Sequence, residues 1–537
     1  MKKLILSAMV AGAAVSSATA AVVTVSGEIT DDTTWSASNQ YVMTDLVFVK
    51  DDATLTIEPG TIVRGEPKSS GTSYDPGALV ICRDGTINAV GTAAAPIIFT
   101  TAMIDSDGDG QFSDETAEYD DNNGVNDYSS VTFLDDDPAD SPLSPGFGFS
   151  TTAGSSAHTG ADEYRGLWGG VIILGSAPTN IAAISGTELV ATTTLPRADL
   201  DDVFEGFIEG LDPLDTGNDN GIYGGSNPND SSGSFKYVSI RHGGTNIAED
   251  NEINGLTMGG VGFGTLIEYV EVYCNDDDGF EWFGGTANSR FLVSLFNNDD
   301  SFDIDEGFTG LGQFWFSLQL DDGVNGDHSG EHDGTYGSFG GLAVDSLNGT
   351  DISGSEGKGL GFYMGFPTIY NATYVANDNS DEMIKADDSF GGNYFNSVFV
   401  GSANDLVDVT EDAENRVDVA DCEYVSNSIA YDLKGKTSAL SGGDLSSYTA
   451  LATRLAANDN LLDGTNPFAT LTNTTVRDDV DPRVTDAANG AVTLAPVTGT
   501  YFISAGYAGA FDPSDDSFWT DNWTVFDANV ALASGSR

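Results

Sequence analysis

An acidic repeat in the middle of the chain constrains the fold more than any other feature of the sequence. The segment NDDDGFEWF (275–283) aligns with NNDDSFDID (297–305) at an offset of 22, and a further step of the same length reaches DDGVN (321–325). Later, SDEMIK (380–385) and ANDLVD (403–408) repeat the theme at an offset of 23. Short β-rich segments such as IEYVEVYC and SRFLVSLF precede the copies. This period predicts a β-solenoid, in which each turn of the coil lies on the turn before.

The repeat also predicts which side chains stack on one another. Matching positions of successive turns lie about 4.8 Å apart, so Phe280, Phe302 and Val324 are predicted to form an interior ladder. The acidic corner before each of them would recur along one edge, where carboxylates repel unless a cation or a twist separates them. Calcium takes oxygen ligands. A candidate calcium site therefore consists of Asp277, Asp278, Asp299, Asp300 and Asp303, and its alternative is a solvated acidic face.

Other segments interrupt or end the coil. Residues near 105–165 and 195–233 are acidic, polar and rich in turn residues, which indicates long loop insertions. Residues 446–460 have apolar side chains at helical spacing behind a serine cap, which predicts one short helix. The aromatic segment 507–527 is predicted to close the open end of the coil, as part of a C-terminal cap near 440–537.

The charge of the chain excludes several classes of partner. The formal net charge is −63, with only 20 Lys and Arg residues. Phosphate contacts require cations, so a nucleic-acid-binding role through basic patches is excluded. Adhesion to anionic lipid is disfavoured for the same reason. The acidity indicates either divalent-cation binding or adaptation to a salty medium.

The N-terminus predicts export from the cell. Lys2 and Lys3 precede an apolar stretch at 4–15, and Ala18-Thr19-Ala20 matches a signal-peptidase site. We therefore expect a signal peptide at 1–20, cleavage after Ala20 and a single domain at 21–537. The sequence contains no other apolar run near the roughly 20 residues that a membrane helix needs. The expected location is extracellular or on the outer surface of a bacterium.

A second candidate calcium site lies in DSDGDGQFSDE (105–115), which matches the start of an EF-hand loop. Gly110 stands at the sharp turn, but position 12 is Thr116 instead of the usual glutamate. The predicted ligands are Asp105, Asp107, Asp109, Gln111 and Glu115. A plain acidic turn is the alternative, and a structural role in holding the loop is favoured over catalysis.

Evidence for catalysis in the sequence is weak. HSGEH (328–332) matches the H-x-x-E-H string of a zinc protease, but that chemistry needs a helix, and the glycine-rich surroundings predict a loop. A polysaccharide lyase needs a basic residue beside a carboxylate cluster, for which Arg241, Arg290 and Lys385 are the nearby cations. The polygalacturonase-type motifs Asn-Thr-Asp, Gly-His-Gly and Arg-Ile-Lys are not found.

Cysteines and aromatic residues fit a structural interpretation. The three cysteines are too few and too far apart for a disulfide framework, so buried free thiols are expected. Trp168, Trp282 and Trp315 are predicted to be core residues, whereas Tyr363 and Phe366 are the best candidates for sugar-stacking aromatics.

The order of several motifs is similar to that of a known group. LTIEPGTIVRG, GTINAVGTAAAPIIFT, RGLWGGVIILGSAP, IEYVEVYCNDDDGFEWFGGT, GQFWF, EHDG and a closing YAGAF…W…NWT follow one another across most of 50–527. The chain resembles secreted or surface right-handed parallel β-helix proteins of marine and gut bacteria, with a coil like that of pectate lyases. The resemblance implies an all-β solenoid with about 22 residues per turn. It also implies an extracellular location, without implying one activity.

These observations predict a calcium-stabilised β-helix protein with a binding or structural role at the cell surface, adhesin-like or associated with glycans. The expected partners are polysaccharides or other surface components. Two alternatives remain open at this point: a calcium-dependent polysaccharide lyase or glycoside hydrolase, and a self-assembling surface-layer or matrix protein.

Overall fold

The computed structural model shows a coil of short strands that stack in parallel from one turn to the next. It describes residues 21–67, 76–103, 165–179, 184–185, 188–189, 205–211, 218–245, 253–319, 326–334, 365–376, 380–387, 390–402, 405–409, 424–433, 453, 455–462, 466–471, 480–497 and 499–526. The strands in these ranges are β1 (Ala21–Ile29), β2 (Thr33–Trp35), β3 (Asn39–Val49), β4 (Thr54–Ile57), β5 (Ile62–Gly65), β6 (Ala78–Ile81), β7 (Thr86–Val90), β8 (Ile97–Thr101), β9 (Val171–Leu174), β10 (Ile184–Ser185), β11 (Glu188–Leu189), β12 (Glu205–Phe207), β13 (Ile222–Gly224), β14 (Gly233–Arg241), β15 (Leu256–Gly259), β16 (Leu266–Tyr273), β17 (Phe280–Phe283), β18 (Ser289–Leu295), β19 (Phe302–Asp305), β20 (Leu311–Leu318), β21 (Gly330–Asp333), β22 (Thr368–Tyr370), β23 (Thr373–Val375), β24 (Ile384–Asp387), β25 (Asn393–Phe395), β26 (Val398–Ser402), β27 (Asp408–Val409), β28 (Tyr424–Ser426), β29 (Ile429–Leu433), β30 (Leu461–Leu462), β31 (Phe468–Leu471) and β32 (Val480–Val484).

Helix is a minor component of the described residues. The short helix α1 (Asp486–Asn489) begins after Thr485, whose side chain accepts a hydrogen bond from the backbone N–H of Ala488 and so caps the helix. Residues 453 and 455–457 are also helical, and they lie within the segment 446–460 for which the sequence predicts a helix.

The coil consists of three parallel ladders of strands. The first ladder contains β2, β4, β7, β22, β25 and β28, with the first halves of β14, β16, β18 and β20. The second contains β5, β8, β23, β26, β29 and β30, with the second halves of the same long strands. The third contains β6, β9, β15, β17, β19, β21, β24 and β27. The predicted all-β parallel β-helix is therefore confirmed.

The register confirms part of the predicted repeat. Phe280 pairs with Phe302 at the first predicted offset, and Lys385 pairs with Asp408 at the second. The next predicted step is wrong, because Asp303 pairs with Glu331 rather than with a residue of 321–325. The connection from β20 to β21 is longer than the connection from β18 to β19, so the strands stay in register while the offset grows. Val324, the third predicted member of the ladder, lies outside the described residues.

Aromatic side chains fill the interior of the coil. The ring centroids of Phe280 and Phe302 lie 5.4 Å apart, and those of Trp282 and Trp315 lie 5.0 Å apart in a stacked arrangement. These side chains and Trp168 are fully buried, as the core interpretation predicts. Each contributes roughly 1.5–3 kcal/mol or more by leaving water. Phe366 is half-buried, and Tyr363 lies outside the described residues.

The corner between the first and second ladders uses left-handed backbone. Tyr237, Tyr269, Phe291 and Phe314 occupy it on successive turns, with φ between 49° and 59°. Bulky residues rarely adopt this conformation. Here their rings stack with centroid separations of 4.4, 4.3 and 4.9 Å, and this stacking compensates for the strained backbone.

Residues 493–526 lie along the side of the coil instead of across its open end, where the sequence predicts them. Trp519 and Trp523 pack edge-on against Tyr269. The segment contacts several turns of the coil, from the turn of Asn427 to that of Glu271. Hydrogen bonds join Asn427 to Thr493, Asn396 to Ala495, Gln313 to Ile503, Asn371 to Tyr507 and Glu271 to Val525.

Candidate functional site

The third ladder carries a row of charged side chains on its outward side. Leu256 and Met258, Phe280 and Trp282, and Phe302 and Ile304 belong to the interior core, so the residue between each pair points outward. The outward row in register is Thr257, Glu281, Asp303, Glu331, Lys385 and Asp408. We call this side of β17, β19, β21, β24 and β27, together with the corner residues that precede those strands, the acidic face.

Side chains at the corner before each strand bind the backbone of the following turn. The Oδ1 atom of Asp278 accepts a hydrogen bond from the backbone N–H of Asp300 at 2.9 Å. Oδ1 of Asp300 accepts one from the backbone N–H of His328 at 2.5 Å, and Oδ1 of Asn254 accepts one from Asp278 at 3.2 Å. The corner aspartates therefore have a structural role, which explains why they recur with the strands.

Two groups on this face consist of carboxylate oxygens alone. Ligand atoms of Asp277, Asp278 and Asp299 lie within 4.8 Å of one another, and so do those of Asp278, Glu281 and Asp303. Asp278 belongs to both groups. A hard divalent cation such as calcium takes six to eight oxygens, several of them from carboxylates. The donor set therefore fits calcium, and four of its members are residues that the sequence predicts for this site.

Burial raises the pKa of Asp278, Glu281 and Asp303 well above the ordinary range. For Asp278 and Asp303, the loss of hydration is the largest cause, and repulsion from neighbouring carboxylates adds to it. The pKa of Glu281 is raised for the same two reasons. A bound cation would stabilise the ionised forms and reverse this effect.

Two cationic side chains balance the next part of the acidic face. Burial would lower the pKa of His328, but its hydrogen bonds with Asp300 and Glu382 raise it to about 11. Burial would raise the pKa of Glu331, but its hydrogen bonds with Asp300 and Lys385 lower it to about 2. This region is thus an ion-pair network, in contrast to the groups around Asp278.

HSGEH is a loop only in its first two residues, since His328 and Ser329 precede a strand. Residues Gly330–Asp333 are strand β21, and His332 pairs with Ile304 and Ala386 of the interior. Its Nε2 atom lies 2.7 Å from the hydroxyl of Tyr394, whereas Nδ1 of His328 lies 3.1 Å from Asp300 on the acidic face. His328 lies at the corner before the strand and contacts the acidic face, whereas His332 points into the interior, so the two cannot bind one zinc ion. Burial lowers the pKa of His332 to about 3, so its ring is neutral.

Arg241, Arg290 and Lys385, the basic residues that the sequence offers for a lyase site, do not lie close together. Arg290 lies on the first ladder and forms an ion pair with Glu268. Arg241 is buried on the second ladder, where Nε donates to Ser239 at 2.8 Å. Lys385 alone of the three lies on the acidic face, in an ion pair with Glu331.

A hairpin bounds the acidic face on its N-terminal side. Strands β12 and β13 pair antiparallel, and Ile208, Leu211 and Tyr223 pack in one apolar cluster with outward residues of β6 and β9. The hydroxyl of Tyr223 donates to Oε2 of Glu306 at 2.6 Å. The hairpin therefore covers the first turns of the third ladder and reaches the beginning of the acidic face.

The remaining predictions concern a second calcium site and the cysteines, and only some of these residues are described by the structure. The loop with Asp105, Asp107, Asp109, Gln111 and Glu115 lies outside the described residues, so that calcium site stays a prediction. Cys82 is a buried free thiol, as expected, Cys274 is buried, and Cys422 is outside the described residues.

Sequence reasoning missed the contributions of Glu281, Glu331, His328 and Glu382 to the face. Glu281 is in the aligned repeat opposite Asp303, so the alignment contained the signal for it. The others depend on the longer step between β19 and β21, which a fixed period cannot predict.

The fold and its outward row of carboxylates define a parallel β-helix protein with an acidic surface along one ladder. The family described as "Pectate-lyase like beta helix domain" matches residues 27–111 and 216–453, which is more than half of the chain. The chain belongs to this family, and this membership fits a polysaccharide-related role. The matched residues include the whole acidic face. Neither the curated proteins nor the solved structures contain a match. Within the described residues, no helix is long and apolar enough to cross a membrane.

Proposed function

We propose that the acidic face binds calcium and, through the bound ion, an anionic polysaccharide. The observation that carries the proposal is the convergence of Asp277, Asp278, Asp299, Glu281 and Asp303 on adjacent turns, with ligand atoms within 4.8 Å in each of two groups. The face repels an anionic polymer when it carries no cation. A calcium ion that keeps open coordination positions reverses that repulsion and accepts oxygens from the polymer.

The ion pair between Lys385 and Glu331 favours a binding role over a catalytic role for the acidic face. A lyase needs a basic side chain that can take up a proton near neutral pH. Burial would lower the pKa of Lys385, but the hydrogen bond and charge of Glu331 raise it above its ordinary value, so the ammonium group holds its proton. Arg241 and Arg290 lie on other ladders. Among the described residues of the acidic face, Lys385 is therefore suited to hold an anion and not to act as a base.

The proposed setting is outside the cell. The signal-peptide pattern at 1–20 supports export, and the large negative charge supports an environment rich in divalent cations or salt. Extracellular polysaccharides that carry carboxylate groups are the partner class that matches a calcium-loaded acidic face.

Binding to immobilised polygalacturonate and alginate, measured with calcium and with a chelator, tests the proposal. We expect retention in calcium, release by the chelator, and loss of retention in the variant Asp278→Asn/Asp303→Asn. The variant Asp52→Asn is the matched control, because Asp52 lies on an exposed turn with φ 62°, which asparagine tolerates. Retention that is the same in chelator and calcium would contradict the proposal. A rise in the ultraviolet absorbance of unsaturated uronates would show a lyase instead.

A further inference from the structure

The first turn of the coil has a free strand edge. Strand β1 pairs in parallel with β3, and β3 lies against β5 and β6 of the following turn. Among the described residues, no strand pairs with the other edge of β1, and the hydrogen bonds of its backbone run to β3 and to Lys50. An edge of this kind presents a row of N–H and C=O groups that a further strand can bind.

This free edge is exposed, although the turn behind it is well packed. No residue of β1 is buried: five are exposed and four are half-buried. Val23 and Val25 nevertheless pack against the interior core. Just inside them, Trp35 and Tyr41 are buried and stack with ring centroids 4.9 Å apart. The first turn is therefore anchored on a packed interior, and a partner strand can reach its outer edge without rearrangement of the coil.

The edge is nearly free of charge in a strongly acidic chain. Residues 21–25 have no charged side chain, whereas the whole chain has a formal net charge of −63. Glu28, the one carboxylate of β1, forms an ion pair with Lys50 at 3.2 Å. Two copies of so acidic a molecule repel one another over much of their surfaces. The free edge of β1 lets a second copy approach with little of this repulsion.

The geometry of residues 21–25 suits a two-fold contact. They pair with residues 39–43 of β3 in continuous register, and the register shifts only between Val25 and Gly27, where the φ angle of Gly27 is 75°. The five residues before this irregularity form a regular strand edge. A two-fold axis makes such an edge its own antiparallel partner, because the same groups meet from both sides.

We infer that the first turn of the coil is the interface for a second copy of this chain, with residues 21–25 of the two copies paired as antiparallel strands. Backbone hydrogen bonds between the two strands supply the affinity. The predicted cleavage after Ala20 places a positive α-amino group at the start of β1. The antiparallel arrangement directs this charge towards the end of the partner strand that carries Glu28. The inference does not depend on calcium binding.

Sedimentation velocity of the mature chain, residues 21–537, tests this interface. The measurement is made in chelator over a series of concentrations, so that calcium cannot bridge two acidic faces. We expect a reversible equilibrium of monomer and dimer, in which the dimer becomes more stable as salt screens the repulsion between the copies. A protein that stays monomeric at every concentration and salt level would overturn the inference. A monomer that binds the synthetic peptide AVVTVSGEI would overturn the second copy as the occupant and assign the edge to a strand of another protein.

The variants Val22→Pro and Val23→Pro separate the interface from folding. Proline lacks the backbone N–H, and adjacent residues of a strand direct their N–H groups to opposite sides. One of the two substitutions therefore keeps the hydrogen bonds to β3 and blocks only the outer edge. We expect the variant with the higher melting temperature to have a dimer dissociation constant at least tenfold larger than that of the unmodified protein.

Phe263→Ser is the matched control for these variants, because it removes an apolar side chain that is 49% exposed on another part of the coil. It should leave the dimer dissociation constant unchanged. A dimer that persists with equal affinity in both proline variants would show that the contact lies elsewhere on the molecule and would overturn the inference.

Discussion

The backbone N–H of Asp300 donates a hydrogen bond to Oδ1 of Asp278 at 2.9 Å, between two successive turns of the coil. One oxygen of Asp278 thus fixes the register of the next turn, and the carboxylate also belongs to both groups that fit a cation. The same side chain therefore serves the fold and the candidate site, and its two roles can be separated by substitution.

Asp278→Asn should keep the hydrogen bond and remove the charge. In chelator, we expect a melting temperature equal to or above that of the unmodified protein, because burial and repulsion disfavour the ionised carboxyl. In calcium, the rise in melting temperature caused by the ion should be largely lost. Asp278→Ala also removes the acceptor and should cost about 1–3 kcal/mol in both conditions. Scanning calorimetry checks both variants against Asp52→Asn, and an undiminished calcium effect in Asp278→Asn would argue against the site.

Trp282→Ala should leave a large cavity inside the coil. Trp282 is fully buried and stacks on Trp315 at 5.0 Å, so we expect a loss of about 3–5 kcal/mol in the free energy of unfolding. Phe263→Ala is the control, because Phe263 is 49% exposed and its loss should change stability by less than about 0.5 kcal/mol. Urea unfolding followed by circular dichroism measures both, and similar midpoints for the two variants would contradict the assignment of Trp282 to the core.

The ion pairs of Glu268 predict a pH dependence on the first ladder. Burial would raise the pKa of Glu268, but hydrogen bonds from Lys236 and Arg290 lower it below the ordinary value. A carboxyl whose pKa is lower in the folded state contributes stability above its unfolded pKa, and this contribution disappears as pH falls through the folded pKa. Glu268→Gln should therefore be less stable than the unmodified protein at pH 7, with a difference that shrinks below about pH 4. A difference that stays constant from pH 7 to pH 3 would count against this explanation.

The segment 493–526 should detach locally when one of its anchors is removed. Trp523 is fully buried, packs against Tyr237 and Tyr269, and donates from Nε1 to the carbonyl of Trp519 at 2.8 Å. For Trp523→Ala we expect faster hydrogen exchange in 493–526 and at the aromatic corner, with little change in β17 and β19. Uniformly faster exchange over all three ladders would show that this segment is part of one cooperative unit with the coil.

The sequence predicts the coil because the repeat of apolar and acidic residues has the period of one turn. Phe280 and Phe302 alternate with outward carboxylates, and their spacing in the chain follows directly from the length of one turn of the coil. The same reasoning places Asp277, Asp278, Asp299 and Asp303 on neighbouring turns, and the structure brings them together.

Other features depend on contacts between distant parts of the chain. The pairing of Asp303 with Glu331 requires a longer connection that no fixed period contains. The position of residues 493–526 depends on contacts such as Val525 with Glu271, which are 254 residues apart. His332 points into the interior because Gly330–Asp333 form a strand where the glycines of the sequence suggest a loop, whereas His328 lies at the corner before that strand.

Calcium titration by isothermal calorimetry tests the central claim most directly. The unmodified protein and the variant Asp278→Asn/Asp303→Asn are first freed of calcium with a chelator and then titrated in the same buffer. We predict saturable binding to the unmodified protein and, in the variant, the loss of one class of sites or at least a tenfold lower affinity, which corresponds to about 1.4 kcal/mol. Identical isotherms for the two proteins would contradict calcium binding at the acidic face.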